Sequence, residues 1–173
     1  MQFTDVIDRR RSIRAYSAKV VPKSKLDAVL ATVQRAPSAG DLQAYLVITV
    51  ESPETKALLA EAALGQSFIA EAPVVFVFLA DTCRSESKYG KRGAALFSLQ
   101  DATIAAAYVQ LAATAEGLGS CWVGAFDEAR VARAIGAPAR FRAVALLPIG
   151  YPAEAPALTP RRSLSELVRS ERC

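Results

Sequence analysis

Three short segments carry residues that could do chemistry. The first is Arg9-Arg10-Arg11-Ser12-Ile13-Arg14-Ala15-Tyr16. Arginine presents a planar fork of donors that matches phosphate oxygens, and a serine hydroxyl adds a compact donor. In an extended chain alternate side chains share a face, so Arg10, Ser12 and Arg14 can converge on one anion. A solvated basic turn after a helix is the plainer alternative, because short basic runs are weak motifs. The second segment is Pro37-Ser38-Ala39-Gly40-Asp41-Leu42-Gln43. Its small residues leave backbone N–H groups accessible, and Ser38, Asp41 and Gln43 add polar tips, a combination suited to the edge of a flat heteroaromatic ring. It reads equally as a helix-to-strand connector. The third is Gly117-Leu118-Gly119-Ser120-Cys121-Trp122-Val123-Gly124, which closes a long alanine-rich helix. Its Gly-x-Gly is no dinucleotide fingerprint, since it follows a helix and precedes a strand.

Other chemistries are excluded by what the chain lacks. With no histidine in 173 residues, His-based triads and finger-type zinc sites are ruled out. Cys83, Cys121 and Cys173 form no CxxC pair. Cys121 has no base to activate it and sits among apolar neighbours, so it is a poor nucleophile. A net charge of +4 suits an anionic ligand, but its basic residues are not interleaved with aromatics as a nucleic-acid surface would require. No apolar run reaches membrane-spanning length and the N-terminus carries no signal region. A soluble protein of the reducing cytoplasm is the expectation.

The elements that must position these segments alternate between helix and strand. Met1 to Asp8 reads as a helix with Phe3, Val6 and Ile7 on one face. A second helix carries Leu26, Val29, Leu30 and Val33, with Ser24 as its cap and Pro37 as its end. Tyr45–Val50 and Val74–Leu79 read as strands, the latter apolar throughout and hence covered on both faces. Between them Pro53 starts a helix running toward Gly65, and after them Asp81 to Arg92, polar and basic, reads as an exposed loop. The longest helix spans about Ala94 to Glu116, with Gln100 and Asp101 unusually close to its apolar part. A short strand Ser120–Val123 follows, then a helix Glu128–Ile135 capped by Asp127, then a strand Phe141–Leu147 terminated by Pro148. Ala153 to Pro160 is a proline-rich linker, and Ser163-Leu164-Ser165-Glu166 is a full capping box. One domain over residues 1–173 is expected, of α+β class, with helices against a central mixed or antiparallel sheet. The apolar share of 52% leaves room for surface buried against another chain.

In this order, Arg-Arg-Ser-Ile-Arg-x-Tyr, Pro-Ser-Ala-Gly-Asp-Leu-Gln, Gly-Leu-Gly-Ser-Cys-Trp-Val-Gly-Ala-Phe and Pro148-Ile-Gly150-Tyr-Pro152 with Arg161-Arg162 resemble the signatures of the nitroreductase family across essentially the whole chain. The resemblance implies an intertwined homodimer of nitroreductase-like fold with FMN at the subunit interface and NADH or NADPH as electron donor. The implied activity is ping-pong reduction of a small electron-poor acceptor, such as a nitroaromatic or quinone. It implies Arg10 and Ser12 on the flavin phosphate, Arg14 near the pyrimidine edge, Arg11 among the cofactor-binding residues, and Arg161 or Arg162 closing on the phosphate. Pro37, Ser38, Ala39, Asp41 and Gln43 would come from the partner subunit, and the N–H of Val123 or Gly124 would lie near the flavin N5. No protein side chain is then needed as a catalytic acid, base or nucleophile, and no metal. Three departures stand out: Asp41 where asparagine is frequent, Ala44-Tyr45 for Pro-Trp, and a short span between Val50 and Ala94. Dehalogenation or flavin fragmentation on the same scaffold, or flavin binding without catalysis, are the alternatives.

Overall fold

The computed structural model describes residues 2–172. Cys173, and Met1 at the start of the expected first helix, lie outside them. The core is built on β2 (Val74–Asp81), whose residues are almost all fully buried. It pairs antiparallel with β1 (Tyr45–Val50) on one side and β4 (Phe141–Gly150) on the other, and β3 (Gly119–Ser120) adds to the outside of β4. The four-stranded order is therefore β1-β2-β4-β3.

Because successive side chains of a strand point to opposite faces, β2 feeds two cores. Val75, Val77 and Leu79 join Leu59, Ile69, Val131 and Leu146 on one face. Phe76 and Phe78 join Val29, Ala105, Ala106, Val109 and Leu147 on the other. Helices α3 (Pro53–Ala62), α4 (Phe68–Glu71) and α7 (Glu128–Ile135) cover the first face, and α2 (Lys23–Ala31) and α6 (Ser98–Ala115) the second. Each fully buried Val, Leu or Phe contributes about 1.5–3 kcal/mol, so β2 is the mechanical centre of an α+β fold.

Helix α1 (Phe3–Arg9) buries only Val6; Phe3 and Ile7 stay exposed. Ser52 caps α3 and Asp127 caps α7, each accepting a backbone N–H of the first turn. Helix α8 (Leu164–Leu167) begins with the expected Ser163/Glu166 box. No helix among the described residues is long and apolar enough to cross a membrane.

Three expectations about local structure are corrected. Ser24 is not a cap: α2 starts at Lys23 behind Pro22, which presets the entry backbone, and the helix gives way to a 3-10 turn at Thr32–Arg35. Residues 82–92 are not a loop but helix α5 (Thr82–Arg92), capped by the Asp81 carboxylate on the Arg84 N–H and broken at Gly90. A π-turn, Gly93–Phe97, links it to α6. Pro148 does not end β4, which continues to Gly150; β3 reaches only as far as Ile149, so no strand calls on the N–H that Pro148 lacks.

Candidate functional site

The basic run leaves α1 at Arg10 and becomes extended. Ser12 forms a parallel bridge with Ser120, and the Ile13 N–H donates to the Ser120 carbonyl at 3.0 Å. Farther on, Ser17 N–H donates to Tyr151 O and Ala153 N–H to Ala15 O, both at 2.9 Å. The segment is thus zipped between β3 and the chain leaving β4. Ile13 is the inward anchor, buried over Gly119, where a Cβ would stand 2.7 Å from Ile13 Cγ1. Only a residue without a side chain lets the segment lie this close.

With Ile13 turned in, Arg10, Ser12 and Arg14 surround Cys121. Burial pushes the Cys121 thiol up, while Arg14, the Ser12 hydroxyl and Arg10 each oppose that rise. Tyr16 lies beneath them, its hydroxyl donating within reach of Ile13 O at 2.7 Å and Pro148 O at 3.0 Å, and burial drives its ionisation far above the usual range. Neither Arg10 nor Arg14 has a carboxylate partner among the described residues. The Arg14 guanidinium lies 6.0 Å from the centre of the Phe68 ring. Its backbone N–H, with that of Ala15, is instead held by the Glu154 carboxylate.

Arg11 does not join this group. It occupies the alternate face of the extended segment, where its guanidinium folds back on the Arg10 and Asp8 carbonyls and lines a separate cavity of about 390 Å³ with Arg9 and Ile13. The two candidate amides near Gly124 also divide. Val123 exchanges both backbone hydrogen bonds with Leu146 at 3.0 Å, so its N–H is committed to the sheet. Gly124 is exposed and its N–H takes no partner among the described residues.

The loop Pro37–Gln43 packs elsewhere, on the first turn of α6. The Ala39 N–H donates to Asp101 Oδ1 at 2.9 Å, and Gln43 N–H to Ser38 Oγ at 2.9 Å. Gly40, Asp41 and Gln43 all have positive φ. At Gly40 the need is double, since a Cβ would strike Tyr89 and Lys88 of α5. The same helix reaches over the loop to its carbonyls, Lys88 to Gly40 and Arg84 to Leu42. Pro37, Ser38 and Ala39 line a cavity of about 610 Å³ together with Phe97, Asp101 and Ile104. Asp41 is exposed outside it, and the Gln43 amide turns to Gln34 O at 3.4 Å.

The two clusters sit at opposite ends of α6, whose 18 residues span roughly 27 Å. One chain does not bring Pro37–Ala39 to Arg10 and Ser12. Nor does it bring Arg161 or Arg162, which lie on an exposed tail; Arg162 Nη2 donates to Glu166 O at 3.0 Å. That tail also exposes Leu158, Leu164, Leu167 and Val168. Sequence reasoning missed Glu154, a lone acid in a proline-rich stretch with no local signal. It noted Asp101 as oddly placed, which was the available clue to its contact with the loop.

A sequence model of the Nitroreductase family matches residues 7–67 and 62–151. An NADH dehydrogenase of Thermus thermophilus is 34% identical over 173 residues, covering 84% of each chain. An FMN reductase [NAD(P)H] of Bacillus subtilis is 33% identical over 165 residues, covering 87% of this chain and 66% of its own. Among solved structures, NfrA2 of B. megaterium superposes with a TM-score of 0.93 at 27% identity, covering all of this chain and 76% of that one.

Proposed function

The chain belongs to the nitroreductase family, and from that premise we propose that it is an FMN-dependent oxidoreductase that draws on NADH or NADPH to reduce small electron-poor acceptors. One observation carries the reading: Arg10, Ser12 and Arg14 share a face of a segment fixed to β3, and no carboxylate among the described residues neutralises the two arginines. Such a set is built for an external anion, and the phosphate of FMN supplies one. The residues present fit the cofactor in a second respect, because the free Gly124 N–H stands one residue beyond the sheet bond of Val123 and can donate to a ring nitrogen.

Bound here, FMN would supply the redox chemistry between a nicotinamide donor and a nitroaromatic, quinone or similar acceptor, in two separate half-reactions. The protein's part is position and field. Arg10 and Ser12 would hold the phosphate, and Arg14 would place positive charge beside the ring. Glu154 fixes the Arg14 backbone, which leaves the guanidinium free for that task.

The complete site is a homodimer's. Two-fold packing that runs α6 against its copy in the opposite direction brings the Pro37–Ala39 end of one chain to the Arg10–Arg14 end of the other, and does so twice. Half-exposed Ile104, exposed Tyr108 and the apolar tail are the surfaces such packing would cover. The deciding measurement is the visible spectrum of the purified protein, with FMN added if needed, before and after anaerobic NADH or NADPH. A bound flavin bleached by either nucleotide and reoxidised by a quinone is expected. Protein unable to take up FMN would sink the reading, and flavin that binds but is not reduced would leave a flavin-binding protein without this catalysis. Sedimentation should give twice the chain mass.

A further inference from the structure

Asp101 stands in the first turn of α6 and is 2% exposed, yet it has no cation beside it among the described residues. Its Oδ1 accepts the Ala39 N–H, and its Oδ2, also buried, accepts nothing from the described residues. A buried carboxylate oxygen left without a donor costs more than almost any other polar group. Chains retain such a group where a donor arrives from outside. Here the arrival route is visible, for Asp101 lines the same cavity of about 610 Å³ as Pro37, Ser38 and Ala39.

We infer that Asp101 is a further cofactor-binding residue, whose free oxygen accepts a hydrogen bond from a ribityl hydroxyl of the flavin. The inference rests on the FMN reading above and on the elimination that charge imposes. The phosphate is an anion and is repelled by a carboxylate, and Arg10 and Ser12 claim it at the other half-site. The pyrimidine edge faces Arg14. The dimethylbenzene edge has no donor. The sugar-alcohol chain is the one part left with neutral O–H donors, and a hydroxyl donating to a carboxylate makes a short, strong bond. Asp101 thus serves twice: through Ala39 it fixes the loop, and through Oδ2 it reads the ligand.

Asp101→Asn separates these roles, because the amide oxygen can still accept from Ala39 while its NH2 replaces the free acceptor. The full-length variant and the parent are titrated with FMN, riboflavin and lumiflavin, which lacks the ribityl chain, and thermal unfolding is followed with and without FMN. Expected is a roughly tenfold or greater loss of affinity for FMN and riboflavin with lumiflavin binding unchanged. The flavin-free variant should melt near the parent, since one unmet buried polar group replaces another, while the rise in Tm on adding FMN shrinks. Unchanged FMN affinity overturns the inference. So does an equal loss for all three flavins, which would mean that Asp101 acts only through the loop. A parent protein that binds none of the three would instead overturn the FMN reading itself.

Discussion

Replacing Gly119 by alanine is expected to loosen the proposed grip on the flavin phosphate without touching any residue proposed to make it. The new Cβ would lie 2.7 Å from Ile13 Cγ1 and 2.9 Å from both Cβ and Cγ2 of the same side chain. All three contacts are shorter than carbon atoms tolerate, and all fall on a β-branched residue that is stiff at χ1 and buried. Ile13 cannot rotate away, so the backbone of the segment must lift from β3, stretching the Ile13 N–H bond to Ser120 O. Overpacking of this kind costs about 1–3 kcal/mol. The displacement passes directly to Ser12 and Arg14 on either side. A loss of about 1.4 kcal/mol in phosphate binding is a tenfold rise in Kd. Urea unfolding of the flavin-free protein gives the first quantity, and quenching of FMN fluorescence on titration gives the second. Parent-like stability together with parent-like affinity would refute the account, because it would show that the close approach of Ile13 to Gly119 does not place the segment.

Arg10→Ala should weaken FMN binding by about 1.5–3 kcal/mol, or roughly ten- to a hundredfold, whereas Arg11→Ala, on the opposite face, should leave the Kd within about twofold; calorimetric titration of both variants distinguishes them. Lys56 is buried and donates to Ala72 O at 2.7 Å, so Lys56→Met should cost about 1–3 kcal/mol in urea unfolding by leaving that carbonyl unmet. The Cys121 thiol is pushed up by burial and therefore stays protonated at pH 8, while Cys83 is exposed; brief iodoacetamide treatment of the folded protein should mark Cys83 and spare Cys121 in peptide mass spectrometry. Asp127→Ala removes the acceptor of the Arg130 N–H at the start of α7 and should cost about 0.5–2 kcal/mol, read as a lower urea midpoint.

Most of the scaffold was legible because single residues declare it. Pro53 and Asp127 start helices where expected, Tyr45–Val50 is a strand over the same residues, and the unbroken apolar run at Val74 is covered on both faces. Helix α5 was hidden because it buries little beyond Ser85, so its sequence shows no apolar stripe; a cap at Asp81 and contacts with the π-turn hold it instead. Pro148 read as a stop because it lacks an N–H, but β4 runs through it because nothing there demands one. The site was legible in pieces. Alternation placed Arg10, Ser12 and Arg14 together, and the same rule, applied strictly, would have sent Arg11 to the other face. Glu154 and Asp101 meet their partners across long stretches of chain, by contacts that no spacing in the sequence records.

The bridge between Ser12 and Ser120 has a consequence for solubility as well as for the ligand. Strand β3 lies at the margin of the sheet, and among the described residues its outer backbone groups are met by the basic segment alone. An uncovered margin is a template for strands of other molecules, so whatever holds Arg10 to Arg14 in place also guards the protein against aggregation. On the proposed function, a flavin phosphate bound there would act as a clasp on that guard. Flavin-starved protein should therefore be the form that aggregates, long before its core unfolds.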